Sequence, residues 1–317
     1  TVTAPTDKIY CMGETTLAIP LIVTPASGVT FDISGGAAIG LTDKIGYLLY
    51  QIPSYAATTG SATITITPRA NGCTGTPVTF NVTVNPRPNI HLSASARTIC
   101  SGESTNISIS STTIGATFSW VVYSMTGTII GASNGTGNLL DQTLLNNTAT
   151  TGTVVYQITA STGACEGATI NLTVTVHPEV TASIAGTATA CQNENPEPVI
   201  TFTASGGTAP YTFIYNINGG TNQQVVANSG NTATVTAPTN ADGTFTYNLL
   251  SVAGSTGCTY PQTRTAIITV KPLPVLTSTL TPSGICSNTS FNYVHQSSIP
   301  GTDFYWERKA VTGISNL

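Results

Sequence analysis

Charge is what this sequence has least of. Only 7% of its 317 residues are Asp, Glu, Lys or Arg, where soluble globular domains average about 25%. Long helices carry Glu, Lys, Arg and Leu on their faces, so helical architectures lack their usual material. Four lysines and five arginines are scattered along the whole chain, and the net charge is −4. With no basic patch, nucleic-acid binding has no electrostatic footing. Long apolar runs are missing as well. Thr, Ser or Gly interrupts every apolar stretch well short of a bilayer span, so no membrane insertion is expected of this segment.

The residue patterns of catalysis are also absent. His91, His177 and His295 stand alone, far apart in sequence. No Gly-x-Ser-x-Gly elbow occurs, and no Cys-x-x-Cys or clustered His suggests zinc. Calcium needs several converging carboxylates, and 13 acids over 317 residues are too sparse for a strong site to be expected. Glu194 and Glu197, the densest acidic pair, lie in a Pro-rich turn and read as a solvated loop. Asn81, Asn106, Asn134, Asn146, Asn171 and Asn288 head Asn-x-Ser/Thr triplets, which arise by chance in so Thr-rich a chain and are given no role. No catalytic, cofactor-binding or metal-binding residue is assigned, and the chain is not expected to be an enzyme.

What is abundant is threonine, about one residue in five. Branching at Cβ suits Thr and Val to a pleated surface, so composition alone points to an all-β protein. The stronger signal is repetition. Cysteines stand at 11, 73, 100, 165, 191, 258 and 286. A leading set, Cys11, Cys100, Cys191 and Cys286, recurs at a nearly even spacing. A trailing set, Cys73, Cys165 and Cys258, follows the first three leaders at a nearly constant distance. The leading cysteines open similar segments: Cys11-Met12-Gly13-Glu14, Cys100-Ser101-Gly102-Glu103, Cys191-Gln192-Asn193-Glu194 and Cys286-Ser287-Asn288. Each complete unit closes on an alternating strand before proline, such as Val82-Thr83-Val84-Asn85-Pro86, Val174-Thr175-Val176-His177-Pro178 and Ile268-Thr269-Val270-Lys271-Pro272.

These landmarks define units at 1–87, 88–179 and 180–273, with the truncated start of a fourth at 274–317. The Pro-rich boundaries hold the chain extended and make short, stiff joints. Thr1 is not an initiator Met and the fourth unit is unfinished, so the sequence is expected to be a window on a longer polypeptide. Within a unit, period-two alternation marks half-buried strands, as in Phe118, Trp120 and Val122. About seven short strands in about 90 residues indicate an immunoglobulin-like β-sandwich, repeated as an extended tandem array. An aromatic at one fixed offset from the leading cysteine is expected in each core: Phe31 after Cys11, Trp120 after Cys100 and Trp306 after Cys286. In the third unit the nearest candidates are Phe213 and Tyr211.

Regular cysteine pairs in an exported all-β protein read as disulfides. The expected pairs lie within units, Cys11–Cys73, Cys100–Cys165 and Cys191–Cys258, leaving Cys286 to a partner outside the chain. Each would close about 65 residues and stabilise by about 4 kcal/mol on the chain-entropy model. The rival arrangement bonds Cys11 to Cys165 of the next unit. It follows from standard sandwich topology, which puts the first loop and the last hairpin at opposite ends.

The Cys-x-Gly-Glu opening, the Gly-led strand Gly152–Tyr156 and the Val-Thr-Val-x-Pro close resemble the PKD-like and Ig-like repeats of giant surface adhesins from Bacteroidota. That resemblance implies export by type 9 secretion, attachment to the outer membrane, and work with the gliding-motility machinery. It also implies that external surfaces or polysaccharides are bound by other parts of the chain. The function expected is a structural stalk of a cell-surface adhesin. The alternative is spacer or carbohydrate-binding modules of a secreted polysaccharide-degrading enzyme.

Overall fold

In the computed structural model, residues 1–307 and 309 are described, except 25, 26, 164 and 287. The C-terminal residues 308 and 310–317 of the expected fourth unit lie outside the described set. Every regular element among the described residues is a strand, save one 3-10 turn at Ala37–Ile39. The chain divides into two compact bodies, Thr1–Glu179 and Val180–Leu317. The first holds two separate hydrophobic cores, and the second holds one.

The same sheet recurs around each core. In the first, Lys8–Cys11 runs parallel to Val78–Asn85, which pairs antiparallel with Gly60–Ala70, which in turn pairs with Thr30–Ser34. In the second, the series is Ala96–Cys100, Ile170–His177, Gly152–Thr162 and Thr117–Thr126. In the third it is Ala188–Cys191, Thr259–Lys271, Gly243–Ala253 and Tyr211–Ile217. A second sheet covers the apolar face. Around the third core it is Thr181–Ala185, Val199–Ser205 and Thr232–Thr236. These are immunoglobulin-like sandwiches.

Alternation explains the composition. Along Ile170–His177, Leu172, Val174 and Val176 are fully buried while Thr173 and Thr175 face outward. Along Gly152–Thr162, Val154, Tyr156, Ile158 and Ala160 are fully buried. Thr satisfies the outward face of a strand without adding charge, because its branched Cβ packs while its hydroxyl meets water.

The aromatics have different fates. Phe31 and Phe213 are fully buried and Trp120 nearly so. The Trp120 ring lies over its strand partner Gly135, where a Cβ would stand 2.6 Å from it, so this strand position has no room for a side chain. Trp306 is not in a core: it is 81% exposed. The described residues from 274 to 307 form no strand and a single isolated bridge, Leu276 to Ser297. Among the described residues no facing sheet covers the ring.

Trp120→Ala removes a large buried ring and should cost about 3–5 kcal/mol, read as a lower urea midpoint by circular dichroism. An unchanged midpoint would mean that the ring supports no core. Burial also pushes the Tyr156 phenol up from 10.0 to about 12, and its hydroxyl donates to Gln142 Oε1 at 2.7 Å. The unfolded chain releases this proton near pH 10 while the folded chain holds it, so stability should fall between pH 10 and 12. Tyr156→Phe should flatten that part of the pH profile; an unaltered slope would exclude the buried phenol as its cause.

Candidate functional site: the joint between the first two cores

Each leading cysteine ends the short parallel strand, so it lies where its unit's last strand ends. Cys11 is opposite Asn85, Cys100 opposite His177, and Cys191 opposite Lys271. A tight turn follows in all three. The amides of Glu14, Glu103 and Glu194 donate back to the cysteine carbonyls at 3.1 Å. Their carboxylates accept the cysteine amides at 2.9, 2.9 and 2.6 Å. The residue before Glu has positive φ, +81° at Gly13, +91° at Gly102 and +61° at Asn193, which Gly and Asn tolerate best. The residue after Cys donates to the last strand: Met12 to Asn85, Ser101 to His177, Gln192 to Lys271. The Cys-x-Gly-Glu motif is therefore a clamped turn at the exit end of a sandwich. Glu194, expected to be a solvated loop residue, is part of that clamp.

Each trailing cysteine lies at the other end, in the hairpin before the last strand. Cys73 is opposite Ala70 and Cys165 opposite Thr162. In the first unit, Val84 is opposite Gly60, so the whole strand Gly60–Ala70 separates the two cysteine levels. At about 3.3 Å per residue that is roughly 33 Å, where a disulfide needs Cα atoms within about 4.4–6.8 Å.

The expected within-unit pairs are corrected on this ground. Cys11 is bonded instead to Cys165, with Cα atoms 5.5 Å apart and a sequence separation of 154. Cys100 and Cys258 are disulfide-bonded, and the same end-to-end separation forbids Cys100–Cys165 and Cys191–Cys258. Cys73 and Cys191, expected to be oxidised, are free and exposed, as is Cys286.

The bond crosses the joint at Pro86-Arg87-Pro88, and neighbouring groups close around it. Arg87 donates from Nε to the Met12 carbonyl at 3.1 Å and from Nη1 to the Glu166 carbonyl at 2.6 Å. Its Nη2 stands 3.4 Å from Glu14 Oε1. Thr162 Oγ1 donates to the Pro86 carbonyl at 2.8 Å. At Gly167 a Cβ would fall 1.9 Å from the Pro88 carbonyl oxygen, so only glycine lets the linker pass so closely. Cys165 is fully buried and Cys11 is 8% exposed. Sequence reasoning placed Arg87 at the boundary Pro86-Arg87-Pro88 without foreseeing its bonds, and missed Glu14 and Gly167 as joint residues. The signal for Glu14 was present in the recurrence of Glu at the same place after each of the first three leading cysteines.

The arrangement fixes one sandwich against the next. Among the described residues, no group of three or more His, Cys, Asp or Glu is placed to hold a metal, and no helix is long and apolar enough to cross a membrane. Disulfides in such sandwiches indicate an extracellular segment.

A comparison with family models agrees on the fold around the second core. Residues 97–180 match the family model of a PKD-like domain. No curated protein matches the chain. Among solved structures, the titin fragment I67–I69, as an E-to-A variant, is 9% identical, with 85% of this chain and 96% of that one covered and a TM-score of 0.48. Mouse cadherin-23 EC22–24 is 11% identical, with 84% and 96% covered and a TM-score of 0.37. The SGBP-B protein of a Bacteroides ovatus mixed-linkage glucan utilization locus, in complex with a mixed-linkage heptasaccharide, is 18% identical. The match covers 85% of this chain and 66% of that one at a TM-score of 0.22.

Non-reducing digestion and mass mapping should yield a peptide pair joining Cys11 to Cys165, with Cys73 and Cys191 open to alkylation before reduction. A Cys11–Cys73 pair would contradict the geometry of the joint.

Proposed function

We propose that this chain is a load-bearing stalk segment of a large exported cell-surface adhesin, serving surface attachment and gliding motility. Its working units are 1–87, 88–179 and 180–273, with 274–317 opening a fourth. The observation that carries this reading is the bond from Cys11 to Cys165 across a joint. A spacer needs only a linker; a segment that transmits force gains from a covalent bypass. Tension entering at Thr1 reaches Cys11 along Lys8–Cys11, crosses the sulfurs, and continues from Cys165 into Ile170–His177. The remaining strands of the first core lie off that path. Each sandwich adds roughly 40 Å of reach, from strands of about seven residues plus their loops.

The resemblance to Bacteroidota adhesin repeats supports type 9 secretion and the gliding machinery as partners, with attachment at the outer membrane. External surfaces or polysaccharides would then be bound elsewhere on the chain. Phe31, Trp120 and Phe213 are buried, so these recurring aromatics serve cores and offer no platform for stacking sugars.

Pulling the full chain from its termini should test the bypass. Cys11→Ser should remove the covalent bypass and lower the force at which the first core opens. Equal opening forces for the two chains would mean that the bond does not shield that core.

A further inference from the structure

Cys73 occupies in the first unit the place that Cys165 occupies in the second, and the match extends to its surroundings. Both cysteines pair back onto the preceding strand, Cys73 with Ala70 and Cys165 with Thr162. Two positions after each stands a glycine whose amide closes the hairpin, Gly75 to Pro68 and Gly167 to Ala160, each at 2.8 Å. The difference is in what covers them. Cys165 is fully buried under the linker and clamped turn of the preceding unit. Cys73 is exposed, and a shallow groove lined by Val29, Pro68, Ala70, Cys73 and Gly75 lies open beside it. At the other end of the repeat, Cys191 is also exposed and free, yet its turn carries the same clamp, with Glu194 Oε2 2.6 Å from the Cys191 amide.

We propose that Cys73 and its groove form a docking half-site for the clamped exit turn of another PKD-like unit joined ahead of this one. Cys191 is the complementary half-site, for the trailing hairpin of a unit that follows. The partner is defined by chemistry: a Cys-x-Gly-Glu turn followed by a Pro-flanked linker able to lie against Gly75. The staple then recurs from the leading cysteine of one unit to the trailing cysteine of the next. The chemistry is thiol–disulfide exchange with a small disulfide oxidant. One protein thiolate attacks the oxidant and releases one reduced thiol; the second protein thiolate displaces the other. Two protein thiols and one oxidant disulfide thus give one protein disulfide and two reduced thiols. This inference rests on the joint geometry rather than on the adhesin reading, and its failure would leave that reading standing.

The test uses the full chain extended at its N-terminus by a second copy of residues 1–87, oxidised with glutathione disulfide and mapped without reduction. The added copy's leading cysteine should link to Cys73 of the unit that follows it, with the Cys11–Cys165 bond intact. That link should exceed the glutathione mixed disulfide by at least about tenfold, as a short tether raises effective concentration to the millimolar range or above. Cys73→Ser in the following unit should abolish the link, while under reducing conditions, where no link forms in either chain, the unfolding midpoint should stay within error of the parent's. The proposal is overturned if the added cysteine remains glutathionylated in a folded chain. It is equally overturned if the added cysteine bonds the trailing cysteine of its own copy.

Discussion

The parallel pairing of one short strand with the last strand of each sandwich is the constraint on which the joint depends. It holds Cys11 level with Asn85, where the chain leaves the unit. Had the first segment stayed with the opposite sheet, its cysteine would have had no reason to face the next domain. Two recurring bonds keep it there: the carboxylate of Glu14 on the Cys11 amide, and the Met12 amide on the Asn85 carbonyl. The positive φ of Gly13 permits the turn that makes both possible. From that single register follow the position of the thiol, the bond to Cys165, and the exclusion of a partner within the unit.

Magnitudes show why the placement matters more than the count of bonds. On the chain-entropy model, closing the sequence separation of 154 between Cys11 and Cys165 contributes about 5 kcal/mol. A within-unit bond closing about 65 residues would contribute about 4 kcal/mol. The equilibrium gain from crossing the joint is small; the mechanical gain is large, since the first core is taken out of the covalent path. The Arg87–Glu14 ion pair is a lesser contributor, because its side chains are 41% and 40% exposed and such pairs are worth up to about 1 kcal/mol. The bonds from Arg87 to the Met12 and Glu166 carbonyls do more for geometry, for they tie linker, turn and hairpin to one guanidinium.

Much of this architecture is readable in the residues. The alternation of Leu172, Val174 and Val176 with Thr173 and Thr175 announces a strand with one buried face. The spacing of the leading cysteines announces the repeat. Pairing is another matter, since spacing is silent on which end of a sandwich a loop occupies. The within-unit expectation satisfied every complete unit on paper and failed against roughly 33 Å of strand. The rival from sandwich topology had the correct physical premise. Trp306 shows a second limit: its offset from Cys286 equals that of Trp120 from Cys100, but register buries a ring only where a sheet stands to cover it. The bonding of Arg87 was invisible for a simpler reason. Its role depends on two carbonyls, and carbonyls carry no sequence signature.

The central claim is that the folded joint brings Cys11 and Cys165 together before they bond. Its most direct measure is the effective concentration of the two thiols for one another, obtained by equilibrating the full chain in glutathione buffers. Thiols on a short flexible tether meet at about millimolar effective concentration. A preorganised joint predicts a value well above that, falling towards the millimolar range when Arg87→Ala loosens the linker. A value already near millimolar in the unaltered chain, and indifferent to Arg87, would contradict the account.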